Sequence, residues 1–289
     1  MKKIKIFILA LFLTVFSYSE DLNFDKAKEF YSKGDYENAV KYYKLSIDEG
    51  NVKSMYNLGH MYSELKNYSE SVKYYKMAAD SGDVNAMYNL GSIYNSMGNN
   101  KDSEKYYKMA IDKGDIEAMY NLGVLYRDMN NLKETEKYYK MAADKGLVSA
   151  MSGLGRLYNS QKNYKEAEKY YKLAIDKDDM DAMYNLGVMY KDTGNYKEAE
   201  KYYKMAANKG DVEAVNNLGY LYYRQKNYKE AEKYFKQAAD MGHANAMFGL
   251  GTLYFETGNN EEGKRYYERA AENGHETARK ILNNEIKGY

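Results

Sequence analysis

From about residue 21 onward, apolar and polar positions recur with a period of 32 residues. Residues 182–209 show one copy. Ala182, Leu186, Met189 and Tyr190 fall on one side of a helix, because residues three and four apart share a face. After a polar break, Ala199, Tyr203 and Ala206 form a second stripe at the same spacing. Asn195 precedes that stripe and Glu198 follows three residues later. This is capping-box spacing, in which each side chain satisfies the other residue's free N–H. The pair recurs at Asn67/Glu70, Asn131/Glu134, Asn163/Glu166, Asn227/Glu230 and Asn259/Glu262. Gly50, Gly82, Gly114, Gly146, Gly210, Gly242 and Gly274 follow the second stripes, where a left-handed residue closes a helix. Asp178 fills that slot once, and Asp tolerates the conformation better than most. Each period therefore predicts two helices.

The first helices share another marker. Gly59, Gly91, Gly123, Gly155, Gly187, Gly219 and Gly251 are spaced by 32, each preceded by Leu. Ala27 holds the slot one period earlier and Asn283 one period later, so eight units run from about Asp21 to Gly274 and a partial ninth closes the chain. Gly187 and Ala199 leave room for two backbones to approach, with Tyr190 and Tyr203 filling the space around them. A coiled coil is excluded, since it needs a 3.5-residue period and no glycine stops.

Composition removes several function classes. The 289 residues contain no Cys, Pro or Trp, but 36 Tyr. Without Cys there are no disulfides, thiolate zinc sites or cysteine nucleophiles. The first residues read as something other than fold. Lys2, Lys3 and Lys5 precede the apolar run Ile6–Phe16, and Ser17-Tyr18-Ser19 supplies small residues for cleavage. Residues 1–19 are thus expected to be a secretory signal peptide, leaving an exported chain that is periplasmic or secreted to the cell surface. An apolar run of eleven is short of the roughly 20 a span requires, so no stable membrane span is expected after cleavage. Loss of three Lys takes the formal charge from +1 to slightly negative. Nucleic acid, which demands a basic stripe, is not an expected partner.

At the residues 195–206, following Leu186-Gly187-x-x-Tyr190, the sequence resembles a tetratricopeptide repeat. The stretch Ala206-Ala207-Asn-Lys-Gly210-Asp-Val-Glu-Ala214-x-x-x-Leu218-Gly219-x-x-Tyr222 resembles a Sel1-like repeat. The period is shorter than the tetratricopeptide length of about 34, and the proline usual between units is missing. The resemblance covers nearly all of residues 20–289 and implies an all-α, right-handed α-solenoid of about eight helix–turn–helix repeats, with roughly 17 helices and a terminal capping helix.

The resemblance also implies that first helices line a concave groove, with the residues three and two before each glycine facing into it. These are Tyr56-Asn57, Tyr88-Asn89, Tyr120-Asn121 and Tyr184-Asn185, continued by Asn217 and interrupted at Ser152-Gly153. An amide that both donates and accepts can pair with any peptide bond, and Tyr adds rigid apolar area with a polar tip. Two readings stay open: a ladder that binds an extended peptide, or consensus packing between neighbouring helices. Positions that vary along the groove would set specificity. Arg127, Arg156 and Lys191 give a basic middle, and Tyr220, Tyr223, Phe248 and Phe255 an aromatic C-terminal end, suited to a segment with an acidic part and an apolar anchor.

No catalytic, metal or cofactor constellation emerges. His243 and His275 follow stop glycines and are read as loop residues at helix starts, while His60 stands alone. Glu168/Lys172 and Glu200/Lys204 are i,i+4 pairs of a solvated face, worth a few tenths of a kcal/mol each. The expected function is a non-enzymatic scaffold for protein or extended peptide segments. The alternatives are a surface or host-contact structural protein and a hydrolase like the β-lactamase-type Sel1 proteins. That last group is cysteine-rich, which this chain is not.

Overall fold

The computed structural model describes residues 22–287; the expected signal peptide at 1–19 lies outside them. Two compact units divide at Leu147 and Val148. The first contains α1 (22–32), α2 (Tyr36–Asp48), α3 (Val52–Glu64), α4 (Tyr68–Asp80), α5 (Val84–Ser96), α6 (Asn100–Asp112), α7 (Ile116–Asp128) and α8 (Leu132–Asp144). The second contains α9 (Val148–Ser160), α10 (Tyr164–Ile175), α11 (Met180–Asp192), α12 (Tyr196–Asn208), α13 (Val212–Arg224), α14 (Tyr228–Asp240), α15 (Ala244–Glu256), α16 (Asn260–Glu272) and α17 (Glu276–Lys287). The described residues thus form eight helix pairs and a closing helix, with no strand among them. Each unit is an α-solenoid in which a helix packs mainly on its sequence neighbours.

The stop signals act as the sequence predicts. Gly50, Gly82, Gly114, Gly146, Gly210, Gly242 and Gly274 all have φ between 87° and 95°, and Asp178 stands at 69°. The capping box, however, forms only halfway. Asn195 Oδ1 accepts the Glu198 N–H at 3.4 Å, but the Asn195 N–H donates to the carbonyl of Tyr190 at 2.8 Å. The connection is so short that one residue both seals the end of α11 and caps α12. With its expected target taken, the Glu turns outward to Lys: Glu198 lies 3.8 Å from Lys201 and Glu70 3.5 Å from Lys73.

Within each pair, the first-helix glycine supports an aromatic ring from the second helix. A Cβ at Gly187 would stand 2.7 Å from Tyr203 Cδ1, and at Gly155 2.4 Å from Tyr171 Cδ1. Tyr75, Tyr107, Tyr139, Phe235 and Tyr267 sit in the same way on Gly59, Gly91, Gly123, Gly219 and Gly251. The preceding residue of each aromatic pair does something different. Tyr202 stacks on Tyr190 at 5.7 Å and 11°, and the same stack joins Tyr94 to Tyr106 and Tyr222 to Tyr234. The two tyrosines of the doublet therefore hold two different surfaces of one helix pair together.

The face expected to be merely solvated also contributes to stacking. Glu200 and Lys204 pair at 2.6 Å, and Glu200 Oε1 also accepts the hydroxyl of Tyr222, from the next repeat, at 2.7 Å. Tyr254 donates to Glu232 at 2.6 Å in the following repeat. These half-buried carboxylates are held below their usual pKa, Glu232 by its bonds to Lys236 and Tyr254. The ion pairs thus clip one repeat to the next, which spacing along a single helix could not reveal.

His243 and His275 are N-caps, as the sequence suggests. Nδ1 of His243 accepts the Ala246 N–H at 3.2 Å, while Nε2 meets Glu213 at 2.8 Å. Nδ1 of His275 accepts the Ala278 N–H at 3.1 Å, and its ring stacks on Phe248 at 4.3 Å. Burial lowers the His275 pKa from 6.5. A lowered value means that the folded state favours the neutral ring. The stabilisation is complete above the unfolded value and is lost as pH falls through the folded one. Amide exchange in α17, corrected for intrinsic rate, should therefore accelerate on acidification from about pH 7 to about pH 5. His275→Asn keeps a cap acceptor and should show less acceleration; equal acceleration in both proteins would refute the role of the imidazole.

Candidate peptide-binding face

First helices of successive repeats approach each other, as α5 does α7, α9 does α11 and α13 does α15, whereas second helices of successive repeats make at most glancing contact. Closer spacing on one side puts the first helices on the inner face of each unit.

The Tyr and Asn side chains of the ladder stand on this face, half-buried, and many are bonded to one another. Asn89 Nδ2 donates to Tyr56 at 3.3 Å and to Tyr75 at 3.2 Å, and Asn121 Nδ2 donates to Tyr88 at 3.0 Å. In the second unit Asn217 Nδ2 donates to Tyr184 at 3.4 Å. Burial raises the pKa of Tyr43, and Asn57 beside it offsets part of that rise, while Tyr120 stacks on Tyr139 at 5.2 Å. The rungs at Asn89, Asn121 and Asn217 thus tie an Asn to the Tyr one repeat earlier, which is what packing between repeats requires. Burial raises the pKa of Tyr88 and Tyr184, so both stay protonated. A phenol that accepts from an amide still carries its own proton, and an amide that donates still has an acceptor oxygen.

The interruption at Ser152-Gly153 has a direct consequence. Asn185 finds no Tyr one repeat earlier, and its Nδ2 turns back to the carbonyl of Asp181 at 2.7 Å. Ser152 is buried and its hydroxyl has no hydrogen-bond partner.

The cationic positions are exposed on both units. Arg127, in the first, is bonded to its neighbour Asp128 at 2.9 Å. Arg156 and Lys191 belong to the second, and Lys191 lies 3.2 Å from Asp192. The aromatic C-terminal end is largely occupied with itself. Phe248 lies between Tyr267 at 4.9 Å and His275. Phe255 packs at 5.1 Å from Tyr267 and over Gly263, where a Cβ would meet its ring at 2.8 Å. Tyr223 donates to Glu256, which raises its pKa further after burial. Tyr220 meets Phe235 edge-on at 4.9 Å and reaches the Asn245 carbonyl at 3.3 Å.

Tyr220 also borders a cavity of about 420 Å³ lined by Lys191, Tyr196, Asn217, Leu221, Arg224 and Gln225. Sequence reasoning selected Lys191, Asn217 and Tyr220 from that set and missed Arg224. The signal was available. Five residues after the repeat glycine stand Glu64, Ser96, Asp128, Ser160, Asp192 and Glu256, and only in the seventh copy an arginine. Among the described residues no cluster of three or more potential metal ligands occurs.

Models described as tetratricopeptide repeat match residues 15–47, 84–112, 116–145, 147–177, 180–208 and 211–273. The chain belongs to the tetratricopeptide repeat family. A Sel1 repeat model matches residues 52–83, so this tetratricopeptide repeat protein carries both kinds of signature. No curated protein matches in sequence. Similar solved structures include a protective antigen present in uropathogenic Escherichia coli strains displaying an SLR fold (23% identity, TM-score 0.64), covering 90% of this chain and 62% of the antigen. The chain thus spans under two thirds of that protein's length. A Sel1 repeat protein from Oxalobacter formigenes is 26% identical at TM-score 0.53, covering 75% of this chain and 99% of that one. A tetratricopeptide repeat protein from Parabacteroides merdae is 19% identical at TM-score 0.51, over 88% and 99%. The fold is thus that of a repeat scaffold typical of protein–protein interaction.

Proposed function

We propose that this protein is an exported, non-enzymatic scaffold that binds extended segments of other proteins along the inner faces of its two units. The row of half-exposed Tyr and Asn side chains carries this reading. Stacking alone could be met by apolar residues, yet these positions keep amides and phenols at the surface. A ligand strand rises about 3.3 Å per residue and neighbouring helices stand about 10 Å apart, so each repeat would contact about three residues of it. Exposed Arg127, Arg156 and Lys191 favour acidic segments. In this reading residues 1–19 are removed during export. The mature protein, beginning near Glu20, meets its partners in the periplasm or at the cell surface.

The test is capture of peptides from a random-sequence display library by residues 20–289. The double variants Asn89→Ala/Asn121→Ala and Asn185→Ala/Asn217→Ala should reduce affinity for selected peptides by about tenfold or more, the scale of one or two lost buried hydrogen bonds. Selected peptides that bind both variants as tightly as the parent would sink the reading.

A further inference from the structure

The turns that join the first helix of each repeat to the second lie along one edge of each unit. In the first unit that edge is apolar. Leu65, Met97 and Met129 are the C-caps of α3, α5 and α7, and Tyr68 and Leu132 open α4 and α8. All five residues are between 39% and 60% exposed, and Met97 is the most exposed large hydrophobic among the described residues. Stacking does not demand this. The C-cap slot holds Gln161, Thr193, Gln225 and Thr257 in the second unit and Lys33 in the first repeat, all exposed. Three consecutive repeats thus place a large apolar side chain in water where the other five place a polar one.

The size and order of the row say what it fits. Large side chains carry about 150–250 Å² each, so five at these exposures present roughly 400 Å². The largest apolar patch on a typical monomer is about 300–600 Å² and is often functional. A stable dimer covers about 800 Å² on each partner, a little over half of it apolar, so the row supplies most of the apolar part of one half-interface. Its order is the same from either end: the pair Leu65 and Tyr68, the single Met97, the pair Met129 and Leu132. The middle turn is also the slimmest. Asn100 replaces the ring of Tyr68 there, and Gly98 stands at φ 72° with open space around it. Charge along the edge is mixed, with Lys66 between Glu64 and Glu70, and Lys133 between Asp128 and Glu134. Such an edge lacks the single sign that would select an anionic membrane or a strongly basic partner, and it suits a reversed copy of itself.

We infer that this edge is a self-association surface, where two copies of the chain meet antiparallel about a two-fold axis at Met97. In a two-fold interface each contact between unlike residues occurs twice, with the roles exchanged. Met97 packs on the partner's Met97, and Leu65 and Tyr68 pack on the partner's Met129 and the partner's Leu132. The same reversal sets Lys66 opposite the acids of the fourth repeat and Lys133 opposite those of the second. Methionine is enriched at interface cores and adapts its shape, so the unlike pairs can fit. The surface is built from turns and uses none of the Tyr and Asn ladder, so this inference stands independently of the peptide-binding reading.

Sedimentation equilibrium of residues 20–289 is the first measurement. Interfaces of this size run from micromolar to picomolar, so at about 100 μM the chain should be mostly dimeric. Leu65→Gln/Met97→Thr/Met129→Gln takes residues that the second unit uses in the same slot. It should keep the helix melt of the parent and raise the dissociation constant at least about tenfold. The absence of native Cys makes the register readable by cross-linking. Treated with diamide, Met97→Cys should form a covalent dimer, and Leu65→Cys mixed with Met129→Cys a covalent heterodimer, because a disulfide needs Cβ atoms within about 4.5 Å. Met241→Cys, 49% exposed on the second unit, should not cross-link. The inference is overturned by a monomer at every concentration, by a dimer that persists in the triple variant, or by cross-linking of Met241→Cys as fast as that of Met97→Cys. A monomer that floats with phosphatidylglycerol vesicles, and ceases to do so in the triple variant, would overturn it in favour of a lipid surface.

Discussion

Gly155→Val should destabilise the second unit by at least about 3 kcal/mol, the upper part of the range for overfilling a packed core. The Cβ alone would stand 2.4 Å from Tyr171 Cδ1, 2.5 Å from Cε1 and 2.9 Å from Cγ. Tyr171 is about 1% exposed and has nowhere to move without parting α9 from α10. Alanine is a milder case. Ala27 occupies the same slot in the first repeat, where Ala27 and Tyr43 are both fully buried, so one methyl group can be absorbed by adjustment of the ring. Alanine also gains up to about 1 kcal/mol over glycine in helix propensity, leaving Gly155→Ala with a net cost of about 1–2 kcal/mol. A double-mutant cycle isolates the contact. Gly155→Val with Tyr171→Ala should cost clearly less than the two single changes added, because the ring that clashes is gone. Solenoids need not unfold in one step, so hydrogen exchange across α9 and α10 should accompany denaturant melts. Additive losses would show that the glycine is not there for the ring.

Tyr203→Ala should cost about 3–5 kcal/mol, as expected for removing a fully buried aromatic side chain, whereas Tyr203→Phe should be neutral or stabilising. The ring is 0% exposed and rests on Gly187. Its hydroxyl is buried without a hydrogen-bond partner, the Asn217 amide beside it being directed at Tyr184. An unsatisfied buried hydroxyl costs about 1–3 kcal/mol, which its deletion would relieve. The chain already contains the substitution: Phe235 fills the slot one repeat on and is equally buried. Urea melts of the two variants decide the matter. A loss above about 1 kcal/mol in Tyr203→Phe would mean that the hydroxyl has a bonded partner in solution.

These two predictions show where the tyrosine excess belongs. One member of each doublet lies on a repeat glycine, and the other stacks on the Tyr three residues after that glycine, as Tyr203 on Gly187 and Tyr202 on Tyr190 do. Most of the excess is therefore packing. The ladder tyrosines are packing as well, through Asn121 to Tyr88 and Asn217 to Tyr184, so any ligand they bind meets side chains already held in place. Such preorganisation lowers the entropy cost of binding.

Helix number, boundaries, stops and caps could be read from the sequence, because each depends on residues within one or two turns of each other: Asn195 before α12, the positive φ of Gly210, Leu218 beside Gly219. Eight copies in one register made those local signals unambiguous. What local spacing could not supply was any contact made one repeat away. The Glu200–Tyr222 clip, the Asn121–Tyr88 rung and the turning back of Asn185 where Ser152 replaces a Tyr all depend on which surfaces stacking brings together. The cavity bordered by Tyr220 belongs to the same class. Arg224 is distinguishable in register, but that its side chain borders a space of about 420 Å³ with Lys191, Tyr196 and Tyr220 was decided by the packing of many side chains at once, most of them distant in sequence.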